Sequence, residues 1–215
     1  MIKYFQTTTL ILFWAFCLMM IWSYLSYTFI SRFSLGKVGA GSINLPALAI
    51  APVLIIIFHA IGISLIYPVH LTSTFSEIFL AGVVPGLVLF IASGLAYQVS
   101  YCINHEWQYW QQKPFVLAER ARGKYPQQSL RRLVLMKSMT DAGSRCLPWL
   151  FGELIVVEAL FNAPGLGTAI WHYARRRDLT LLSEVLFWLI VFYIVCTMIN
   201  FHCHKWLGKR LATYN

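Results

Sequence analysis

Val185-Leu186-Phe187-Trp188-Leu189-Ile190-Val191-Phe192-Tyr193-Ile194-Val195-Cys196-Thr197-Met198-Ile199-Asn200-Phe201 runs without a single charged residue, and this stretch decides the fold. A bilayer core of about 30 Å is crossed by about 20 mainly apolar residues rising 1.5 Å each. Similar stretches cover about 9–30, 45–67, 75–102 and 147–161. The composition agrees, with 59% hydrophobic and 12% charged residues and a mean hydropathy of +0.65, against about 45–50% apolar and about 25% charged in soluble domains. The apolar residues form unbroken runs rather than amphipathic stripes. The expectation is an all-α membrane protein, a polytopic helical bundle of about five transmembrane helices, forming a single domain over 1–215.

Charge placement predicts the topology. The net charge of +9 lies between the apolar runs, which is the pattern of cytoplasmic loops rather than of a nucleic-acid surface. The largest polar region, about 104–145, carries Lys113, Arg120, Arg122, Lys124, Arg131, Arg132, Lys137 and Arg145 against Glu106, Glu119 and Asp141, and is expected as a cytoplasmic loop. Arg32 to Gly41 forms a short basic connection, and Lys205, Lys209 and Arg210 follow the last run. The bias places the N-terminus outside and the C-terminus inside, with Arg175 to Arg177 as an outward cluster. The first run is longer than a signal-peptide core and has no small-x-small cleavage site, so it is read as a retained span.

Details within the spans carry further expectations. The run 147–161 contains Glu153 and Glu158, which need protein neighbours rather than lipid. Five residues apart, they stand about 140° apart around a helix and would not share a site. Pro85 and Pro148 are expected to kink their helices. Gly82, Gly86 and Gly94 are expected on one face of the third span, permitting close helix approach. Trp107, Tyr109, Trp110, Trp171 and Tyr173 fit headgroup level, or bundle packing.

No catalytic pattern is present: there is no phosphate loop, no G-x-S-x-G and no H-E-x-x-H. His202-Cys203-His204 has metal-binding residue types, but side chains at i and i+2 diverge on a helix, so it reads as a polar helix end. The five cysteines are scattered and suggest neither a disulfide framework nor a zinc site.

The informative polar stretch is Phe115-Val116-Leu117-Ala118-Glu119-Arg120-Ala121-Arg122-Gly123. It is amphipathic and helix-prone, ends in Gly, and is followed by a second basic helix-like run over about Leu130 to Lys137. Helix, Gly break and helix make a protruding surface able to dock a soluble partner.

Ala118-Glu119-Arg120-Ala121-Arg122-Gly123 resembles the coupling-helix motif, the EAA loop, of ABC importer permeases of the dipeptide, oligopeptide and nickel kind. Val156-Val157-Glu158-Ala159-Leu160-Phe161-Asn162-Ala163-Pro164-Gly165-Leu166-Gly167 resembles that family's V-V-E-x-x-F-x-x-P-G-L-G signature, and Arg177-Asp178 its R-D pair before the last span. The resemblance covers roughly Leu80 to the C-terminus, more weakly from Thr9 onward. It implies a type I importer permease fold shortened at its N-terminus, since the family has a further span and a periplasmic segment before the matched region. The stretch from Gly123 to Pro164 is slightly short, and polar Lys137 to Arg145 stands where the family begins an apolar helix.

What the resemblance implies is a non-enzymatic transport subunit of the bacterial inner membrane, carrying peptides by alternating access. Its implied partners are a second permease, two cytoplasmic ATPases that bind ATP and Mg, and a periplasmic substrate-binding protein, in a lipid surround. Glu119, Arg120, Ala121, Arg122 and Gly123, with Ala118, would contact the ATPase. Glu158, Phe161, Pro164, Gly165, Leu166, Gly167, Arg177 and Asp178 would form the periplasmic mouth or substrate path. Pro164 to Gly167 is expected as a rigid turn into a short helix, its glycines taking turn geometry other residues resist. Glu158 is either a cavity-lining group or an acceptor for a neighbouring helix. The alternatives are another cargo, such as nickel, a polyamine or an antimicrobial peptide, and an accessory subunit that stabilises an assembly without forming half of a pore.

Overall fold

From Ile2 to Phe33 no glycine or proline interrupts the chain, and the segment forms one helix, α1(Ile2–Phe33). The computed structural model describes residues 2–33, 46–60, 81–123 and 127–212. The remaining helices among these residues are α2(Ala47–Ala60), α3(Val83–Ala92), α4(Leu95–Gln111), α5(Pro114–Ala121), α6(Gln127–Leu160), α7(Leu166–Arg176) and α8(Leu179–Ala212). Every element of regular structure among the described residues is thus helical. Leu45, 61–67 and 75–80 of the expected spans, and most of the Arg32 to Gly41 connection, lie outside the described residues.

Among the described residues, two helices are long and apolar enough to cross a membrane, over Tyr4–Phe29 and Leu179–Gly208. The pair Val83–Ala92 and Leu95–Gln111 makes up to three if it counts as one span, bent by 57°. The expected third span is therefore broken, and not at its proline. Pro85 sits in the first turn of α3, where a missing N–H has no intrahelical partner to lose. The break falls at Ser93 and Gly94, where Gly94 takes φ 71°, a left-handed conformation that ends a helix. Gly94 consequently does not share a helix face with Gly82 and Gly86.

The polar region over 104–145 is mostly helix, in line with the helix-prone runs read at Phe115 to Gly123 and Leu130 to Lys137. It holds the end of α4, all of α5 and the first part of α6, which continues through Pro148 to Leu160. At 34 residues, α6 is about 51 Å long. Its polar stretch is compatible with a helix because Lys137 Nζ meets Asp141 Oδ1 at 2.9 Å, the i, i+4 spacing at which opposite charges support a helix.

The chain divides into two compact units. The first holds α1 as far as Leu18, α2, α3, α6 from Leu147, α7 and α8 as far as Cys196. Within it α2 packs on α3. Ile11 and Ala15 of α1 are fully buried, and Gly86 lets the backbones approach: a Cβ there would stand 2.6 Å from Trp14 Cβ and 3.2 Å from the Ile11 carbonyl. Phe151 meets Phe192 and Tyr193 edge-on at 5.8 and 5.3 Å. Small residues and interlocking rings are what hold helices together where lipid is as apolar as the side chains.

The second unit holds α1 from Met19, α4, α5, α6 as far as Cys146 and α8 from Thr197. Polar side chains join its helices. Trp22 Nε1 donates to the Ala96 carbonyl at 2.9 Å, Ser26 and Ser100 hydroxyls lie 3.1 Å apart, and Asn200 Nδ2 donates to Ser144 Oγ at 2.7 Å. Trp107 and Trp110 are buried, Trp107 against Tyr27 at 5.5 Å and Trp110 donating to Glu106 Oε2 at 3.0 Å. These two rings pack in the bundle, whereas Tyr109 and Trp171 are exposed.

Candidate functional site

α6 ends because its sequence ends it. Asn162 takes φ 50°, Asn162 N–H donates to the Ala159 carbonyl at 3.4 Å and Ala163 N–H to the Glu158 carbonyl at 2.9 Å. That pairing closes a helix through a left-handed residue, for which Asn is second only to Gly, and Pro164 follows where a helix cannot continue. Gly165 then caps α7 with an extended backbone and no side chain to offer, so the first N–H groups of α7 need acceptors from elsewhere.

The acceptors come from Glu158 and Thr8. Gly167 N–H donates to Glu158 Oε2 at 2.6 Å, Leu166 N–H to Thr8 Oγ1 at 3.0 Å, and Thr8 Oγ1–H to Glu158 Oε1 at 2.7 Å. Both residues are fully buried. A carboxylate at a helix N-terminus also meets the positive end of the helix dipole, so Glu158 is an acceptor for a neighbouring helix. Thr168 Oγ1 donates to the Ala163 carbonyl at 2.6 Å and closes the turn from the other side.

The glycines of the turn serve space, not torsion. Gly165 has φ −112°, and among the described residues only Gly94 and Gly123 are glycines with positive φ. A Cβ on Gly165 would overlap the Glu158 carboxylate, and one on Gly167 would stand 2.5 Å from Ile155 Cα. The expected turn into a short helix is present, but for this different reason.

Glu153 makes a second contact of the same kind. Its Oε2 accepts the Ala47 N–H at 3.1 Å, at the first residue of α2. The two glutamates of α6 therefore serve separate helices, consistent with their angular separation. Arg177 and Asp178 also act on helix ends. Arg177 is left-handed with φ 56°, Asp178 N–H reaches the Tyr173 carbonyl at 3.1 Å, and Asp178 Oδ1 accepts the Leu181 N–H at 3.2 Å. One residue thus closes α7 and the next caps α8. Of the residues ascribed to the mouth, Glu158, Phe161, Gly165, Leu166 and Gly167 are buried, Pro164 and Asp178 are half-buried, and Arg177 is exposed.

The motif at 118–123 has the opposite character. α5 is rooted by Val116, which is fully buried, while Leu117 is 52% exposed. Ala118, Ala121, Arg122 and Gly123 are exposed too. The backbones of Glu119 and Arg120 belong to α5, and their side chains lie outside the described residues, as does Lys124. Gly123 takes φ +74°, and a Cβ there would meet nothing within 4 Å. α5 packs on α4.

No group of three His, Cys, Asp or Glu among the described residues is placed to hold a metal ion. His202 Nδ1 lies 2.8 Å from the Met198 carbonyl, and His204 Nε2 lies 2.9 Å from Lys137 Nζ and 3.1 Å from Asp141 Oδ1. Thr8 is the site residue that sequence reasoning missed; its signal is the run Thr7-Thr8-Thr9 inside an otherwise apolar helix.

A family described as binding-protein-dependent transport system inner membrane component matches residues 40–213. No curated protein and no solved structure matches the chain.

Proposed function

We infer that this chain, which belongs to the binding-protein-dependent transport system inner membrane component family and so is a non-catalytic ABC transporter permease, moves peptides as one half of an importer's membrane pore. A second permease forms the other half, two cytoplasmic ATPases bind ATP and Mg, and a periplasmic binding protein delivers cargo. The chain crosses the bacterial inner membrane about five times, with its N-terminus outside and its C-terminus inside.

The observation that carries this reading is α5. A short helix in which Val116 is buried presents Leu117, Ala118, Ala121, Arg122 and Gly123 outward, and small residues there leave room for a partner to close on the helix. The ATPases would grip this surface, and their closure would tilt the permease helices between outward-open and inward-open states, a two-state transition driven by differential contacts. The Glu158 turn would frame the periplasmic mouth through its backbone, since most of its side chains are buried.

Reconstitution with the cognate ATPases and second permease tests the assignment. Ala121→Trp, and the double change Glu119→Ala with Arg120→Ala, should abolish binding-protein-stimulated ATP hydrolysis and uptake of a tripeptide probe. If both variants hydrolyse and transport like the parent, α5 is not the coupling element. Competition between tripeptides, nickel and polyamines on the binding protein tests the cargo.

A further inference from the structure

α4 belongs to a bent pair of helices that together are apolar enough to cross a membrane, yet its outward face is not built for lipid. The exposed residues of α1 and α8 include Phe13, Met20, Leu25, Phe187, Ile190 and Ile194. The exposed residues of α4 are Tyr101, His105, Gln108 and Tyr109, with no aliphatic side chain among them. Of this face, Tyr97 and Tyr101 fall within the 75–102 run, where polar groups face protein or a water-filled cavity rather than lipid tails, and His105 and Tyr109 continue it toward the cytoplasmic side.

The face is also ordered. Tyr97, Tyr101, His105 and Tyr109 follow at i, i+4 spacing, which brings successive side chains together on a helix. Tyr97 and Tyr101 stack at 6.2 Å, and Tyr101 and His105 at 6.5 Å. Two cations sit over the rings: Arg145 Cζ at 5.8 Å from the Tyr101 centroid and Lys113 Nζ at 4.6 Å from that of Tyr109, both within cation–π range. The carboxylates of the same helices lie off this face, Glu106 buried against Trp110 Nε1 and Asp141 paired with Lys137 and His204. The ladder is therefore a wall of stacked rings faced by two cations, with tyrosine hydroxyls and the amides of Asn104 and Gln108 beside it.

We propose that this ladder of Tyr97, Tyr101, His105 and Tyr109, with Arg145 and Lys113, lines the aqueous cargo path and takes neutral or acidic peptides in preference to basic ones. Rings and amides suit a peptide backbone and its apolar side chains, and the two cations attract a carboxylate and repel an ammonium group. The proposal deepens the peptide-import reading and rests on it for the identity of the cargo.

The test separates the two. In the complete transporter in native membranes, Tyr101→Cys is treated with methanethiosulfonate reagents that differ only in charge, a sulfonate and a trimethylammonium. Modification of position 101 is read by mass spectrometry and normalised to free cysteine. The sulfonate should react faster by about tenfold, the scale on which a charged cleft concentrates counter-ions, and Arg145→Gln should reduce that preference. Tyr109→Cys serves as the second site should Tyr101→Cys not assemble. No reaction at either position, as for a face against lipid or protein, would overturn the proposal, and so would equal rates or a preference that survives Arg145→Gln. In a parallel arm Arg145→Gln should lower uptake of Ala-Ala-Glu relative to Ala-Ala-Lys, and an unchanged ratio would count against the proposal. Failure of the parent to take up either tripeptide would sink the peptide reading, with the ladder still judged by the labelling.

Discussion

The turn at Glu158 and the segment around Gly123 are both short, glycine-containing connections next to helices, yet they are opposites in construction. In the first, every glycine is small because something occupies the space: the Glu158 carboxylate at Gly165 and the Ile155 backbone at Gly167. In the second, Gly123 is needed for its torsion, with open space around it. The first region satisfies its own backbone groups through Thr8 and Glu158. The second leaves Leu117, Ala118, Ala121 and Arg122 exposed. A motif completed by its own chain reports on folding, whereas one left open is available for a partner.

That contrast can be broken by substitution, and the largest effect belongs to Gly165→Ala. Its Cβ would push the Glu158 carboxylate off both donors and overpack the turn, for a loss of about 3–6 kcal/mol in stability. Glu158→Ala should follow at about 2–4 kcal/mol, because it strands the buried Gly167 N–H and the Thr8 hydroxyl. Thr8→Val keeps the volume but leaves the Leu166 N–H without its acceptor, for about 1–3 kcal/mol. Thermal unfolding of the purified protein in detergent, followed by the reactivity of the buried thiols of Cys102 and Cys146, ranks all three; equal midpoints for Gly165→Ala and the parent would refute the closed-turn account.

On the open side the stability effects shrink. Gly123→Ala should lose about 1–2 kcal/mol from left-handed strain alone. Ala121→Trp should change the unfolding midpoint by no more than about 0.5 kcal/mol equivalent, as for an ordinary surface site, while abolishing coupled ATP hydrolysis. A large fall in stability for Ala121→Trp would mean that this surface is closed by the chain itself.

Sequence reading located what depends on local pattern. The unbroken apolar runs match α1 and α8, and the turn at Pro164 to Gly167 and the following short helix appear where expected, because helix ends are written in neighbouring residues. It failed where distant chain decides. A spacing of Gly82, Gly86 and Gly94 suggests one small-residue face, but only packing and torsion distinguish Gly86, pressed on Trp14, from Gly94, which ends the helix. Within 104–145 the helix-prone runs at Phe115 to Gly123 and Leu130 to Lys137 were legible, but not that the second continues as one helix from Gln127 to Leu160. The run Thr7-Thr8-Thr9 marks a polar spot in α1, but not its partner, which lies 150 residues away.

That separation gives the turn a history as well as a geometry. At about 5–20 residues per second, a ribosome that has made Thr8 reaches Glu158 150 residues later, after roughly 8–30 s. Throughout that interval the hydroxyl must be served by water, headgroups or a carbonyl of its own helix. Its final bond forms only after the chain has been synthesised beyond α6. The Thr8–Glu158 contact is therefore a late event in assembly, and a chain stalled before Glu158 keeps the Thr8 hydroxyl without its final partner.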